Sequence, residues 1–591
     1  MFLASLLGRA LVSDSALNFY IIAHLRQIVN TYLANRGQAH KFCYYILNKQ
    51  GIITVFLNDK ILVGKSGDKE LCILPKMANR HGLITGASGS GKTITIKVMA
   101  ESFSEAGVPV FMADVKGDLA GTAQTGEVNE NIAERINNLG LKDFEPKSFP
   151  VRFWDLYGTH GHQVRANVEQ VGPEILSIML GLTEAQEGNL AIAFKVAKDE
   201  NLRLINLEDL RAILAYVAEN RDRYNTKYGN ITPQSIGVIQ RSLLTLENQG
   251  ADKFFGEPAL DIDDFFTQDT DGRGVINILH AVKLFQNPDL YASFLLWLLT
   301  TLFSNTPEVG DLDKPRLIFF FDEAHLLFNG MPSYRLKRIT QVVKLIRSHG
   351  IGLYFASQRP TDIPDEIMSQ LGNRIQHTLR AYTPAEQKIV RASADSFRKN
   401  PEFDTAQAIL ELGTGEALVS FQDTKGTPTV VERATILPPQ SQMGVLDDMA
   451  RTKIINASPL AGVYDTEVDP ESAFEIINAM KAQAEAAKNA PQATAPEPQA
   501  IPAPTQPSSK PKTYAEYLAA TKNNMAANQA ARTQFAQTPV TETKTSSTKS
   551  AKKTQSKIEK YSDRAIGNII GGASSSIGRK IGTSLIKNLF K

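Results

Sequence analysis

The octapeptide GASGSGKT, residues 86–93, constrains this chain more than any other stretch of its sequence. Its glycines let successive backbone N–H groups curl around an anion, and a helix that starts at its end directs a positive N-terminus to the same point. The spacing Gly-x4-Gly-Lys-Thr is that of a phosphate-binding P-loop, in which Lys92 contacts the β- and γ-phosphates and the Thr93 hydroxyl binds Mg²⁺. The residues expected to hold a nucleotide are Gly86, Ala87, Ser88, Gly89, Ser90, Gly91, Lys92 and Thr93.

The residues on either side of this loop predict a strand and a helix. Leu83, Ile84 and Thr85 are apolar or β-branched, which suits a buried strand. Apolar residues are frequent between Thr93 and Ala100, which suits a helix that is buried on much of its surface. This strand–loop–helix context disfavours the alternative, an ordinary glycine-rich turn.

Composition bounds the class of protein. Apolar residues make up 42% and charged residues 21% of the chain, as in soluble globular proteins. Its 591 residues are enough for two or three domains. The net charge of +2 provides no general attraction to nucleic acid. The two cysteines, Cys43 and Cys72, exclude a disulfide framework and fit a reducing, cytoplasmic environment. We expect no integral membrane segment, because no apolar run reaches the roughly 18 residues that span a bilayer.

Strand and helix patterns alternate along much of the chain, which predicts an α/β fold with a mostly parallel sheet covered on both faces. Strands resume at GVINIL, 274–279, after a helical insertion, and a hairpin over 416–422 and 428–436 closes the core. The helical patterns of the insertion lie at 170–181, 184–199, 206–220 and 233–249.

The patterns divide the chain into segments of different character. Residues 1–52 connect to no later motif, and our hypothesis is that the native protein starts near Ile53, a point that N-terminal sequencing of native material would decide. The composition of residues 486–556 is typical of disorder. For residues 557–591 we favour a weakly structured tail or a subunit contact, with an amphipathic segment that binds a membrane surface or a partner protein as the alternative. The predicted segments are an N-terminal extension (1–52), the first part of the core (53–164), a helical insertion (165–272), the second part of the core (273–450), a helical extension (451–485), a disordered linker (486–556) and a basic amphipathic tail (557–591).

A second group of site residues follows the apolar segment LIFFF, 317–321. Asp322 comes at the carboxyl end of this predicted strand, where ligands of open α/β sheets bind. We expect Asp322 to hold Mg²⁺ and the adjacent Glu323 to polarise the attacking water as a general base. A solvated turn would explain two adjacent carboxylates alone, but the apolar strand and the P-loop favour a hydrolytic site.

The next apolar strand, GLYFAS at 352–357, leads to Gln358. In P-loop ATPases whose catalytic Glu follows the metal-binding Asp, a further strand lies between the P-loop strand and the Asp strand. Its polar end residue contacts the γ-phosphate or the water, and Gln358 fits that position, with a structural cap of the strand as the alternative. Asp114, at the end of PVFMADV, would lie by the metal or the water, or serve a structural turn.

Phosphoryl transfer also needs a cation that neutralises charge in the transition state, commonly from a neighbouring subunit. Arg374 and Arg380, in the segment NRIQHTLR, are the first candidates, and Arg80 and Arg347 are further ones.

The predicted helix over 334–348 is the most basic in the core, and it would follow the phosphates of a nucleic acid with a steep salt dependence. A solvated face or salt bridges between subunits would look the same in sequence. No zinc-ligand spacing and no Ser-His-Asp arrangement stands out, and the nine histidines are scattered. The basic residues of this helix are Arg335, Lys337, Arg338, Lys344 and Arg347.

Five segments, GASGSGKT, ADVKGD, FFFDEAH, ASQRP and NRI, occur in this order and together resemble the HerA/FtsK branch of P-loop ATPases. The segments MANRHGLITGASGSGKT and ESFSEAGVPVFMADVKGDL look typical of a bacterial HerA-like group. The resemblance covers about residues 53–450. It implies a RecA-like ATPase core that uses ATP and Mg²⁺, a hexameric ring of identical subunits, and a motor that translocates DNA or another polymer.

The sequence also departs from the pattern of this branch. HerA proteins have an N-terminal β-barrel that docks a partner nuclease, and the segment 53–82 is too short for one. No winged-helix domain of the FtsK kind is evident. These departures weaken the expectation of a DNA pump and leave the partner protein open.

We therefore predict a Mg²⁺-dependent ATPase of HerA/FtsK type, a hexameric translocase or helicase directed to DNA. The alternative is an ATP-dependent assembly or scaffold protein that docks a partner or a membrane surface through its C-terminal tail. The Asp-Glu pair and the Gln strand argue against a small-molecule kinase, which need not activate water, and the lack of an LSGGQ-like signature argues against an ATP-binding-cassette subunit. The expected roles are phosphate and metal binding by Lys92 and Thr93, Mg²⁺ binding by Asp322, water activation by Glu323, γ-phosphate sensing by Gln358, and completion of the site by Arg374 or Arg380 of a neighbouring subunit.

Overall fold

A computed structural model describes residues 56–57 and 60–489 of the chain. Within these residues the strands form one mixed sheet, in the order β1-β2-β13-β12-β11-β4-β10-β9-β5-β8-β6-β7, with β3 paired to β2. The strands are β1 (Phe56–Leu57), β2 (Lys60–Ser66), β3 (Lys69–Ile73), β4 (Gly82–Thr85), β5 (Val110–Asp114), β6 (Val151–Asp155), β7 (His162–Gln163), β8 (Ile276–His280), β9 (Leu317–Phe321), β10 (Ile351–Ser357), β11 (Asn373–Gln376), β12 (Glu416–Ser420) and β13 (Glu432–Ile436).

Helices cover both faces of the sheet. The α-helices are α1 (Pro75–Ala78), α2 (Lys92–Glu105), α3 (Glu130–Leu139), α4 (Val168–Met179), α5 (Glu184–Asp199), α6 (Leu207–Glu219), α7 (Arg221–Tyr228), α8 (Pro233–Asn248), α9 (Pro288–Asn305), α10 (Ser333–Leu345), α11 (Asp365–Met368), α12 (Pro384–Asp395), α13 (Thr405–Glu411), α14 (Asp448–Ala457) and α15 (Ala473–Asn489). Short 3-10 helices lie at Ala120–Ala123, Ala251–Lys253, Ile262–Phe266, Leu284–Gln286, Ala324–Leu327, Ile346–His349 and Pro360–Asp362.

The strands from β11 to β7 pair in parallel, and the strands on the far side of β11 pair antiparallel. Strands β9 and β10 are buried along their whole length, as parallel strands covered on both faces are expected to be. The predicted α/β class with a mostly parallel sheet is confirmed. The predicted closing hairpin is also confirmed, because β12 and β13 pair antiparallel.

Alternate residues of the central strands enter two different cores. Phe319 and Phe321 of β9 belong to one hydrophobic cluster with α9 and the helices α4 to α8. Ile318 and Phe320 belong to the other, which contains the apolar side chains of α2. The helices of the predicted insertion therefore share a continuous core with one face of the sheet.

The four helices predicted between 170 and 249 are confirmed with bounds that differ by at most two residues. The structure adds α7, α12 and α13, which had not been predicted. The start of α12 carried a signal in the sequence, because Thr383 and Glu386 form a capping box at its first turn. The strand predicted over 428–436 was too long, since Asp423 accepts hydrogen bonds from the N–H groups of Lys425 and Thr427 in a turn and β13 begins only at Glu432.

The ends of the chain are covered in part. Helix α15 continues to Asn489, so the boundary predicted between 485 and 486 lies inside it. The predicted N-terminal extension, most of the linker and the basic tail lie outside the described residues. No helix in the described part of the chain has the length and hydropathy to cross a bilayer.

Candidate active site

The P-loop, the Asp-Glu pair and Gln358 follow three adjacent parallel strands. Strand β10 lies between β4 and β9, with Ser357 beside Thr85 and Phe355 beside Phe321. The three strands end at the same edge of the sheet, so the residues that follow them meet there. The strand predicted to separate the P-loop strand from the Asp strand is therefore present in the expected place.

The P-loop depends on glycine at two points. A Cβ at Gly86 would lie 2.5 Å from the Cβ of His377, so the strand end leaves no room for a side chain. Gly91 caps α2 with a φ of 111°, in the left-handed region that glycine adopts without strain. Beyond this turn α2 is buried from Thr95 to Ser104, which confirms the predicted buried helix.

Lys92 bonds back to the first residues of the P-loop. Its Nζ donates hydrogen bonds to the carbonyls of Gly86 at 2.7 Å and Ala87 at 3.2 Å. Burial lowers the pKa of Lys92, while the nearby carboxylates of Glu323 and Asp322 oppose that shift. The ammonium group therefore lies in the field of the two carboxylates and can exchange its carbonyl partners for phosphate oxygens.

Asp322 is buried at the end of β9, with only 7% of its surface exposed. Its Oδ1 accepts a hydrogen bond of 2.9 Å from the backbone N–H of Glu323. Burial and the charge of Glu323 raise the pKa of Asp322 to about 6, against the opposing charges of Lys116 and Lys92. The raised pKa means that the nearby lysines do not fully compensate the buried negative charge of Asp322, and a divalent cation would supply the missing positive charge. The Asp322 carboxylate and the Thr93 hydroxyl are the hard oxygen donors that Mg²⁺ prefers.

Glu323 has a strained backbone and a buried carboxylate oxygen, features that are common at active sites. Its φ of 47° and ψ of 45° place a non-glycine residue in the left-handed region, which costs on the order of 1 kcal/mol or more. Its Oε2 is buried, lies 3.4 Å from Nδ1 of His325, and has no hydrogen-bond partner among the described residues. The hydroxyl of Tyr291 donates to the carbonyl of Asp322 at 3.0 Å and braces this turn. Sequence reasoning had identified neither His325 nor Tyr291.

Gln358 is exposed at the end of β10 and lines a cavity of ≈ 130 Å³ together with Ala87 and Ser88 of the P-loop. Asp362 fixes the turn that follows β10, because its Oδ2 accepts hydrogen bonds from Ser357 Oγ and from the N–H of Arg359. The amide of Gln358 is thus placed beside the P-loop on a turn with a defined backbone.

The two arginines first considered as transition-state cations have different surroundings. The guanidinium of Arg374 donates to the carbonyls of Leu371, Ser396 and Met368, and a reach into a neighbouring subunit would break these bonds. Arg380 is exposed and lines the cavity that contains Gln358 and the P-loop of its own chain. Of the two, Arg380 is therefore the one that is free to approach a nucleotide.

Asp114 serves the turn after β5. Its carboxylate oxygens accept hydrogen bonds from the N–H groups of Gly117, Leu119 and Ala120 at 2.7 to 3.2 Å. Burial, followed by the charge of Asp118, raises its pKa to about 6. The structure therefore favours the structural alternative for Asp114. It also adds the exposed Lys116, whose charge acts on Asp322 and Lys92.

His377, directly after the neighbouring strand β11, supports the P-loop, although no histidine had been singled out in the sequence. Its Nε2 accepts a hydrogen bond of 2.9 Å from Thr95 Oγ1 in α2, and its Nδ1 donates to the carbonyl of Glu416 at 2.9 Å. Burial lowers the pKa of His377 to about 4, so the imidazole is neutral at pH 7, as this bonding pattern requires. His377 belongs to the segment NRIQHTLR, which had been noted for its arginines. Only the folded chain shows that this segment pairs with the P-loop strand β4 and so brings His377 to the P-loop.

The basic helix α10 lies against the helices of the insertion. Arg338 forms an ion pair with Glu174 of α4, so this charge is used within the chain. Lys337 and Lys344 are exposed. Part of the predicted basic surface therefore remains available to a polyanion.

The chain matches a family model described as Helicase HerA-like C-terminal over residues 59–581. This chain belongs to the HerA-like helicase family. It is a P-loop ATP hydrolase, as the resemblance of its motifs predicted. The match continues beyond residue 450, where the resemblance seen in the motifs had ended.

Named relatives agree with this assignment. The HerA-like chain is 22% identical over 386 residues to the DNA double-strand break repair helicase HerA of Sulfurisphaera tokodaii, an alignment that covers 63% of this chain and 69% of the relative. It is 24% identical over 396 residues to the protein of the same description from Sulfolobus acidocaldarius, covering 66% and 72% of the two chains.

Solved structures with a similar chain path include VirB4 of Thermoanaerobacter pseudethanolicus, with a TM-score of 0.43, 16% identity, and coverage of 66% of this chain and 98% of that one. The plasmid coupling protein TrwB in complex with ADP and Mg²⁺ has a TM-score of 0.39 and 11% identity, and covers 65% and 90% of the two chains.

Proposed function

We propose that this HerA-like ATPase is a Mg²⁺-dependent motor that assembles as a hexameric ring and translocates along double-stranded DNA. The observation that carries the proposal is the meeting of the P-loop, the Asp322-Glu323 pair and Gln358 at one edge of three adjacent parallel strands. A nucleotide held by the P-loop would have its γ-phosphate between the general base Glu323 and the side chains of Lys92 and Gln358, which is the arrangement that hydrolysis needs.

The reaction follows from the roles of these residues. Glu323 Oε2 accepts a proton from water as the water oxygen bonds to the γ-phosphorus, and the bond from that phosphorus to the bridging oxygen of ADP breaks. Lys92 compensates the charge on the β- and γ-phosphates, and Gln358 orients the water or the γ-phosphate. The products are ADP and inorganic phosphate. Mg²⁺, held by Thr93 and Asp322, would neutralise phosphate charge when bound.

Family membership and the exposed lysines of α10 support DNA as the polymer. The relatives named above are described as DNA repair helicases, and Lys337 and Lys344 leave positive charge on the surface of the core. With a net charge of only +2, attraction to DNA has to come from such local charge.

We expect double-stranded DNA to stimulate ATP hydrolysis by the full chain several-fold at low salt. The stimulation should fade as NaCl rises from about 50 to about 200 mM, because phosphate contacts release counterions. Phosphate release measured with and without DNA across the salt series tests this, and Lys337→Ala with Lys344→Ala should reduce the stimulation. Hydrolysis that ignores DNA at every salt concentration would contradict a DNA motor and favour the ATP-dependent scaffold instead.

The place of Arg380 leads to an experiment on mixed rings. Because Arg380 lines the P-loop cavity of its own chain, we expect it to act on the nucleotide of its own subunit. Arg380→Ala chains mixed with Glu323→Gln chains should then stay as inactive as each variant alone. An arginine that acts on the next subunit predicts the opposite, since a Glu323→Gln subunit would supply its Arg380 to a site that retains Glu323. Sedimentation of the mixture confirms that the rings formed.

A further inference from the structure

The direction of a bound nucleotide is set by the sheet order around the P-loop. Strand β4 has β10 and then β9 on one side, and these carry Gln358 and the Asp322-Glu323 pair. It has β11 and then β12 on the other side. If the γ-phosphate faces the hydrolytic residues, as in the proposed function on which this inference rests, the ribose and base extend toward β11 and β12.

A cavity lies on that side. It has a volume of ≈ 410 Å³, within the range of about 300 to 1,000 Å³ common for small-molecule sites. One wall is the tip of the P-loop, Ser88 to Ser90. The other walls are the segment after β11 and the end of α13 with the loop that leads to β12. The cavity therefore continues directly from the place where the phosphates bind.

Two apolar side chains line this cavity and are exposed to solvent. The side chain of Tyr382 is 81% exposed and that of Leu410 is 43% exposed. The exposed ring of Tyr382 lies beside the P-loop and offers a flat surface on which a planar ligand can stack. Stacking of a base on an aromatic ring accepts any base, because every base has a flat face.

The backbone that carries these side chains is well anchored. The N–H of Tyr382 donates to Glu386 Oε2 at 2.8 Å, in the capping box of α12. On the opposite wall, the N–H of Gly413 donates to Glu416 Oε2 at 2.8 Å, and the same oxygen accepts from Arg433 at 2.8 Å. The exposed ring of Tyr382 thus projects from an anchored backbone, and binding has to order only the side chain.

Contacts to the P-loop complete the link between the two subsites. The N–H of Gly415 donates to the carbonyl of Ser90 at 3.2 Å, and Arg135 of α3 donates to the carbonyls of Thr414 and Gly415 at 3.0 Å. The loop before β12 therefore forms one rigid wall with the P-loop.

We propose that this cavity is the subsite for the nucleobase and ribose, with the ring of Tyr382 stacked on the base and Leu410 packed at its edge. The subsite takes the base and ribose of a nucleoside triphosphate and contributes affinity that the triphosphate alone does not have. Stacking recognises the flat face of a base rather than its edge, so the subsite should accept ATP and GTP with similar affinity.

The test compares ATP with inorganic tripolyphosphate, a probe that has the phosphates but no base. Both are titrated with Mg²⁺ by calorimetry into the full chain carrying Glu323→Gln, which binds without hydrolysis, and into the same chain with Tyr382→Ala or Tyr382→Phe. We expect Tyr382→Ala to weaken ATP binding about ten-fold and to leave tripolyphosphate binding unchanged. The matched variant Tyr382→Phe keeps the ring and should keep the affinity for ATP.

Each other outcome decides against the subsite. Equal ATP affinity before and after Tyr382→Ala overturns it, and a change in ring assembly alone would assign Tyr382 to a subunit contact. An equal loss for ATP and tripolyphosphate also overturns it, because the effect would then be on the phosphates. A Glu323→Gln chain that binds no ATP overturns both the subsite and the proposed function. Base-dependent binding by a parent chain that does not hydrolyse ATP contradicts the proposed function alone.

Discussion

Replacing Glu323 with glutamine should lower the rate of ATP hydrolysis about 10²- to 10⁴-fold, the usual contribution of a general base. Glu323 lies in a strained turn, and its Oε2 is buried without a hydrogen-bond partner among the described residues. Glutamine has the same shape but cannot accept a proton from water. Binding of ATP should change little, because the P-loop residues that hold the phosphates are untouched.

Phosphate release and calorimetric titration with ATP separate these two effects in the full chain. Glu308→Gln is the matched control, since Glu308 is exposed in the loop that precedes β9, at the opposite edge of the sheet. It should hydrolyse ATP at the parent rate. A Glu323→Gln chain that keeps the parent rate would remove Glu323 from the mechanism.

The largest effect on stability should come from Glu101→Ala. Glu101 is fully buried in the P-loop helix α2, and its carboxylate accepts hydrogen bonds from the N–H of Gln440 at 2.8 Å, the N–H of Ser441 at 3.1 Å, and the hydroxyl of Ser441. One turn earlier Lys97, also buried, donates to the carbonyl of Gln442. Together these groups fasten the segment 440–442 across the helix.

Removing the carboxylate leaves two buried N–H groups and a hydroxyl without their acceptor, and it takes away one of the negative charges that act on Lys97. Breaking one side of a buried charged network costs about 3 to 5 kcal/mol, and we expect the free energy of unfolding to fall by that amount. Urea denaturation followed by fluorescence measures it as a lower midpoint. The control Glu134→Ala, at an exposed position of α3, should stay within about 0.5 kcal/mol of the parent. Equal midpoints for the two variants would show that this network adds nothing to stability.

Some features of the site follow from short stretches of sequence. Gly86 to Thr93 could be interpreted from spacing alone, because the glycines, the lysine and the threonine act within one turn of chain. The five apolar residues before Asp322 predicted a buried strand, and a buried strand ends at the ligand-binding edge of a parallel sheet. The helices of the insertion followed from their apolar period.

Other features needed the folded chain. His377 lies next to the P-loop only because β11 pairs with β4, although 282 positions separate it from its partner Thr95. Arg374 donates hydrogen bonds to the carbonyls of Met368 and Ser396, at the ends of α11 and α12, and these bonds hold its side chain within its own chain. No pattern in the sequence indicates them. The linker and the basic tail stay predictions.

The sequence by itself determined the phosphate loop, the carboxylate pair, the α/β class and the family, because each depends on residues that are close along the chain or on a regular side-chain period. Only the tertiary structure decided that His377 lies against the P-loop, which of the two arginines lines the P-loop cavity, and where a cavity opens beside Tyr382. These depend on strand pairing and on packing between distant segments, and the free energy of such contacts comes from their geometry in three dimensions and not from local residue preferences.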